Sequence, residues 1–246
     1  MLCHRQPQTE ESGANATILH YVTNREACKD GDLLLVDAGA ELDCFTGDIT
    51  RTYPVNGTFS RLQRSLYDVV LEAQKRAIAA VKPGATILSI HEITVQALVE
   101  GMVKHKLLEG DVPFNLEKET YKKFYMHRTS HWLGMDVHDA GDYILPGQPG
   151  AAGARGGSGG EAPGNHAAAA RQRKLEPGMV LTIEPGLYIA PDEMLPSDAD
   201  PAMRGIGIRI EDDVLVTGSG AEILSFDCPK EATEVERTMA RKTIFA

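Results

Sequence analysis

The chain has 246 residues, of which 42% are hydrophobic and 24% charged, so its length and composition suit one large globular domain. Its 25 basic and 35 acidic residues give a net charge of −10, which opposes binding to nucleic-acid phosphates and leaves carboxylates that can bind divalent cations. No apolar run approaches the roughly 18 residues of a membrane span, and the start lacks the apolar stretch of a signal peptide. We therefore expect a single domain over 1–246, cytoplasmic, without nucleic-acid or membrane partners.

The hydrophobic spacing predicts elements of both types, in chain order. They are a buried strand over 32–38, a β-rich segment over 47–54 that forms a hairpin-like pair with it, helices over 60–81 and 86–108, and strands over 179–184, 187–190 and 205–217. Sixteen of the 24 residues in 147–170 are glycine or alanine, which predicts a flexible surface insert without chemistry.

Four acidic residues stand where the strand pattern predicts buried apolar side chains: Asp37, Asp48, Glu184 and Glu211. Because side chains alternate along a strand, Asp37 shares a face with apolar neighbours, and Glu211 shares a face with Arg209. A buried carboxylate needs a charged partner or a metal to offset its desolvation. The charge of four carboxylates is neutralised by two divalent cations, so the pattern indicates a pair of metal ions.

Histidines flank these acidic segments. They are His20, His127, His131 and His138. The H-x-x-x-H spacing of His127 and His131 lacks the glutamate of the zinc-protease motif, because Arg128 follows the first histidine. Gly134 lies between His131 and His138, so we expect a turn to bring those two side chains to one site.

The segments VDAGAELDCFTGDITRTYPVNG, MHRTSHWLGMDVHDAG, EPGMVLTIEPGLYIAP and RGIGIRIEDDVLVT closely resemble, in this order, the catalytic domain of the Xaa-Pro aminopeptidases (aminopeptidase P). These enzymes belong to the pita-bread metallopeptidases, which include prolidase and methionine aminopeptidase. The resemblance implies an α+β pita-bread fold, in which helices cover the outer face of a curved, mostly antiparallel sheet.

The resemblance also implies a dinuclear metal site, with Mn²⁺ expected and Zn²⁺, Co²⁺ or Fe²⁺ as alternatives. Asp37 would bind one ion, His131 and Glu184 the other, and Asp48 and Glu211 would bridge the two. A water shared by both ions would be the nucleophile, and Glu184 would carry its proton to the leaving amine.

Further roles follow from the same resemblance. His138 would stabilise the tetrahedral intermediate, while His20 and His127 would line a pocket for proline. Arg209 would orient Glu211 and border that pocket, and Tyr188 would support the ligands.

The implied activity is hydrolysis of the N-terminal Xaa-Pro bond of peptides whose second residue is proline. A prolidase-like dipeptidase and an inactive module that binds peptides or proteins are the alternatives. In the family, two helices, a strand and a separate domain precede the segment that corresponds to Thr17, and this chain has sixteen residues there. We therefore expect an incomplete first half of the fold, compensated by homo-oligomerisation or marginally stable.

Overall fold

The computed structural model describes residues 9–145 and 172–241, so the insert predicted over 147–170 lies outside the described residues. The strands in these ranges are β1 (Thr9–Ser12), β2 (Leu33–Ala38), β3 (Glu41–Leu42), β4 (Phe45–Thr46), β5 (Ile49–Pro54), β6 (Val180–Ile183), β7 (Gly186–Ile189), β8 (Ile206–Arg209), β9 (Asp212–Val216) and β10 (Ala221–Ile223). The helices are α1 (Arg61–Ala80), α2 (Ile87–Lys104), α3 (Val112–Glu117) and α4 (Ala232–Met239), and 3-10 turns cover Gly13–Thr17, Thr120–Lys123 and Pro201–Met203.

All strand pairs in the described ranges are antiparallel. One sheet has the order β1-β2-β5 and another the order β10-β9-β6, while β3 pairs with β4 and β7 with β8. The predicted pairing of 32–38 with 47–54 is confirmed, since Leu33 lies opposite Pro54 and Asp37 opposite Thr50. The short β3–β4 hairpin lies in the connection between the two strands.

The two predicted helices are present and pack against each other. Ser60 and Gln63 form a capping box at the start of α1, which ends just before the predicted stop at Lys82. The second helix ends four residues earlier than predicted, because Lys106 adopts a left-handed conformation with φ of 61° and the chain leaves the helix there. Among the described residues, no helix combines the length and hydrophobicity that crossing a bilayer requires.

The predicted continuous strand over 205–217 is wrong in one respect: it is broken at Ile210 and Glu211. The two halves pair with different partners, β8 with β7 and β9 with β6. At the break, the Glu211 amide donates to the Thr50 carbonyl at 3.0 Å. The change of partner therefore places Glu211 beside β5.

The sequence patterns did not predict the strand β1 or the short helices α3 and α4. Helix α4 packs near β5 and α1, where Val235 joins the main hydrophobic core. That core includes buried residues of α1, α2, β2, β7 and β8.

Candidate metal centre

The four predicted acidic residues all lie at the ends of strands. Asp37 is the penultimate residue of β2, Asp48 immediately precedes β5, Glu184 follows β6, and Glu211 lies between β8 and β9. His131 lies beside β6, where its carbonyl accepts a hydrogen bond from the Thr182 amide at 3.0 Å. Strand pairing thus brings together residues that are far apart in the sequence.

Short distances join the side chains of this cluster. His131 Nε2 lies 3.4 Å from Asp48 Oδ2 and 3.6 Å from Glu184 Oε1. One ligand atom each of Asp48, His131 and Glu211 lie within 4.8 Å of one another. Asp37 lies beside Asp48 as well: burial raises the pKa of Asp37 against the charge of Arg209, and the Asp48 carboxyl group raises it further. All five residues predicted as ligands are therefore brought to one place.

Several buried carboxylate oxygens of this cluster have no hydrogen-bond partner among the described residues. They are Asp37 Oδ1, Asp48 Oδ1, Glu211 Oε1 and Asp213 Oδ1. Leaving a buried polar oxygen unpaired costs free energy, and native proteins rarely do so without a ligand or water. Carboxylate oxygens with an imidazole nitrogen are a donor set that divalent transition metals accept, so the residues fit such ions.

Burial and mutual repulsion disfavour negative charge in the cluster. Burial raises the pKa of Asp37 to about 6, against the charge of Arg209, and raises the pKa of Glu184 to about 7. Burial opposes the charge of His131, but the hydrogen bond to Asp48 and the charge of Glu184 together raise the pKa of His131 to about 9. Protons therefore neutralise part of the cluster, and cations would compete with them for the same atoms.

Arg209 connects Asp37 of the cluster to Tyr188 and Thr50. Its side chain is 4% exposed and donates to Asp37 Oδ2 at 2.7 Å, to the Tyr188 hydroxyl at 3.1 Å and to Thr50 Oγ1 at 3.2 Å. Thr50 in turn donates to Glu211 Oε2 at 2.6 Å. The predicted link from Arg209 to Glu211 thus runs through the hydroxyl of Thr50.

His127 is largely enclosed by aromatic rings. Its ring centroid lies 4.8 Å from that of Tyr125 and 5.5 Å from that of Tyr188. Burial, followed by the charge of Arg209, lowers the pKa of His127 to about 3, so the ring is neutral. Its Nδ1 lies 2.7 Å from the Arg128 carbonyl, which can only accept, so Nδ1 carries the proton and Nε2 accepts from the Tyr188 hydroxyl at 2.8 Å.

The other two predicted histidines lie at the solvent side. His138 is exposed, and its ring centroid is 4.2 Å from that of His131, as the turn at Gly134 predicted. His20 is exposed as well, and burial, followed by the charge of His131, lowers the pKa of His138. The structure therefore places these two side chains at the rim of the cluster.

Sequence reasoning missed two residues that contact the cluster. Thr50 is one, and Asp213 is the other, whose Oδ2 accepts from the Asp48 amide at 3.1 Å and whose pKa burial raises to about 7. The alternating sequence pattern over 205–217 places Asp213 on the same face as Arg209 and Glu211, so this pattern could have identified Asp213. Thr50 offered none, because a threonine in a strand is ordinary.

The model of a protein family described as metallopeptidase family M24 matches residues 5–218. The Xaa-Pro aminopeptidase of Escherichia coli is 45% identical over 233 residues, which are 94% of this chain and 46% of that protein. The structure of aminopeptidase PepP from Pseudomonas aeruginosa is 46% identical, with a TM-score of 0.83, and the match covers 96% of this chain and 47% of the other.

A zinc-substituted Escherichia coli aminopeptidase P in complex with product is similar at 44% identity and a TM-score of 0.82, over 97% of this chain and 48% of the other. This chain thus spans about half the length of the relatives it matches. These likenesses confirm the predicted α+β pita-bread fold and the predicted resemblance to aminopeptidase P.

Proposed function

The chain belongs to metallopeptidase family M24, and from that premise we propose that it carries the catalytic site of an exopeptidase that hydrolyses N-terminal Xaa-Pro bonds. The observation that carries the proposal is the convergence of Asp48, His131 and Glu211, with ligand atoms within 4.8 Å of one another. The relatives named Xaa-Pro aminopeptidase support the substrate class, a peptide with proline at its second position.

The residues that would hold the metal are Asp37, Asp48, His131, Glu184 and Glu211. Bound there, two divalent ions would supply Lewis-acid stabilisation and activation of the attacking water. Two ions balance the charge of the four carboxylates, and the predominance of oxygen donors favours Mn²⁺, with Zn²⁺ as an alternative. A zinc-substituted relative supports that alternative.

Glu184 is suited to move a proton during hydrolysis. Its Oε1 faces His131 at 3.6 Å, while its Oε2 lies 3.6 Å from His127 Nδ1, so one oxygen can bind metal while the other exchanges a proton. We assign to Glu184 the transfer of the proton from the attacking water to the leaving amine. To His138, which is exposed beside His131, we assign a hydrogen bond to the oxygen of the attacked carbonyl.

His127 would line the proline pocket by packing rather than by hydrogen bonding. Both of its ring nitrogens are already engaged, by the Arg128 carbonyl and the Tyr188 hydroxyl. Its neutral ring can therefore offer a face to the apolar pyrrolidine ring of proline. His20 at the rim and Arg209 at the base would complete the borders of this pocket.

A set of peptides with a matched pair of variants tests the proposal. With Mn²⁺ present, the chain is expected to remove Xaa from an Xaa-Pro-Yaa tripeptide and to leave a tripeptide with alanine in place of proline nearly uncleaved. Glu211→Ala should lower turnover by at least about 100-fold, whereas Glu222→Ala, an exposed acidic residue of β10, should not. Release of proline from an Xaa-Pro dipeptide alone would instead indicate the prolidase-like alternative.

Thermal unfolding supplies a second readout that does not depend on turnover. Each ion at 100 times its Kd stabilises the fold by about 2.7 kcal/mol, so the two proposed ions together correspond to about 10–20 °C in Tm for a chain of this size. A chelator should therefore lower the Tm of the metal-loaded protein by that amount. Unchanged turnover and an unchanged metal effect in the Glu211→Ala variant would contradict the assigned site.

A further inference from the structure

We infer that Thr50 is a positioning residue that orients the Glu211 carboxylate for metal binding, an inference that rests on the proposed function. Thr50 lies in β5 and is 0% exposed. It holds Glu211 at two points: its carbonyl accepts from the Glu211 amide at 3.0 Å, and its hydroxyl lies 2.6 Å from Glu211 Oε2. Backbone and side chain of the same ligand are thus fixed by one residue.

The hydrogen-bond donors around Thr50 Oγ1 determine the direction of its proton. Arg209 Nε lies 3.2 Å away and can only donate, so Oγ1 accepts from it. The hydroxyl proton of Thr50 is then directed to Glu211 Oε2, which can only accept while the carboxylate is ionised. The Arg209 guanidinium therefore polarises the Thr50 hydroxyl, which donates its single proton to Glu211 Oε2.

This bond leaves a defined part of the carboxylate available to cations. Glu211 Oε1 is buried and has no hydrogen-bond partner among the described residues, and Oε2 keeps its second lone pair. Without the hydroxyl, the carboxylate could rotate about its terminal torsion, which is broad for glutamate. Thr50 itself is held in place, because a β-branched side chain in a strand has few χ1 positions.

Thr52 provides a matched control two residues along the same face of β5. It is also 0% exposed, and its hydroxyl also makes two hydrogen bonds, donating to the Arg209 carbonyl at 2.9 Å and accepting from the Arg209 amide at 3.1 Å. These bonds reach only the main chain of Arg209. Removing either hydroxyl therefore costs a similar number of buried hydrogen bonds, but only one of the two hydroxyls contacts a carboxylate.

The experiment compares the wild-type chain with Thr50→Val, Thr50→Ser and Thr52→Val. Mn²⁺ affinity is measured by isothermal titration calorimetry, and the metal-free Tm is measured with a chelator present. Thr50→Val is expected to weaken Mn²⁺ binding about 10- to 100-fold, the usual effect of losing a residue that orients a ligand. Thr50→Ser keeps the hydroxyl and should bind Mn²⁺ more tightly than Thr50→Val, and Thr52→Val should lower the metal-free Tm without changing affinity.

Wild-type Mn²⁺ affinity in Thr50→Val, or an equal loss of Mn²⁺ affinity in Thr52→Val, would overturn the inference about Thr50 and leave the proposed function standing. Should Thr50→Val not fold, Thr50→Cys replaces it, because a thiol fits the site but donates weakly, and it should lower the affinity too. The Glu211→Ala variant distinguishes a failure of the proposed function from a failure of the inference about Thr50. If it binds Mn²⁺ as well as the wild type does, the proposed function fails, and the inference fails with it.

Discussion

Replacing Arg51 by methionine should destabilise the fold far more than the same change at Arg76. Arg51 is 2% exposed and lies on the face of β5 opposite Thr50. It donates to Asp212 at 2.6 Å, to the carbonyls of Cys228 and Pro229 at 2.9 and 3.1 Å, and to the carbonyl of Glu211. Arg76 also makes two close ion pairs, with Glu72 and Glu100, but its side chain is 44% exposed.

The difference in burial sets the expected magnitudes. Removing one partner of a buried ion pair typically costs about 3–5 kcal/mol, since the remaining charge and the carbonyls lose their partner in a place that water does not reach. Lys230 and Gln74 still contact Asp212, so we expect the lower part of that range for Arg51→Met. The exposed pairs of Arg76 are worth about 0–1 kcal/mol, and methionine has a similar helix propensity to arginine.

Urea unfolding of the two variants and the wild type, followed by circular dichroism with a chelator present, measures both losses on one scale. The unfolding free energy of a domain is about 5–15 kcal/mol, so the predicted loss at Arg51 is a large fraction of it. Losses at the two positions within about 1 kcal/mol of each other would refute the reasoning that burial decides the strength of these pairs.

Two further predictions concern packing and pH. Gly207→Ala should lower the free energy of unfolding in urea by about 1–3 kcal/mol, because the added Cβ would lie 1.9 Å from the Ala16 carbonyl oxygen. Gly218→Ala, which has open space around it, should change that free energy little. Equal losses in the two variants would contradict the packing argument. Burial, followed by the charges of Arg128 and Lys122, lowers the pKa of His91 to about 4, so the stability tied to its neutral form is present above about pH 6.5 and is lost as the pH falls toward 4. The His91→Asn variant should therefore lose less stability than the wild type between pH 7 and pH 4.5, and parallel losses would show that His91 does not contribute.

The sequence was sufficient to find the acidic residues of the cluster because their positions conflict with the strand pattern. Asp37 and Glu211 occupy places where alternation predicts burial, and burial of a carboxylate demands a cation. The structure puts both side chains in the cluster, with Arg209 and its neighbours on the predicted face. Local alternation thus located residues that the tertiary structure brings into one cluster.

Other features depended on information that is not local. The break at Ile210 exists because the two halves of 205–217 pair with different strands, and an alternating pattern cannot show a change of partner. The end of α2 depends on the left-handed backbone conformation of Lys106. The sequence pattern does not show it, because Leu107 and Leu108 continue the helical spacing of apolar residues. Thr50 could not be identified from the sequence either, because its proposed role depends on its tertiary contacts with Glu211 and Arg209.

Strand β5 separates two kinds of interaction that both hold Glu211. On one face, the hydroxyl of Thr50 contacts the Glu211 carboxylate, and on the other, Arg51 contacts the Glu211 carbonyl and ties it to the segment that contains Cys228 and Pro229. The first contact acts on the carboxylate proposed to bind metal and the second on the backbone that carries it. The Arg51 and Thr50 variants should therefore differ in metal affinity. Arg51→Met lowers stability with or without metal, because its bonds exist in the metal-free fold, whereas Thr50→Val lowers the affinity for metal in addition to the stability lost with its buried hydrogen bonds.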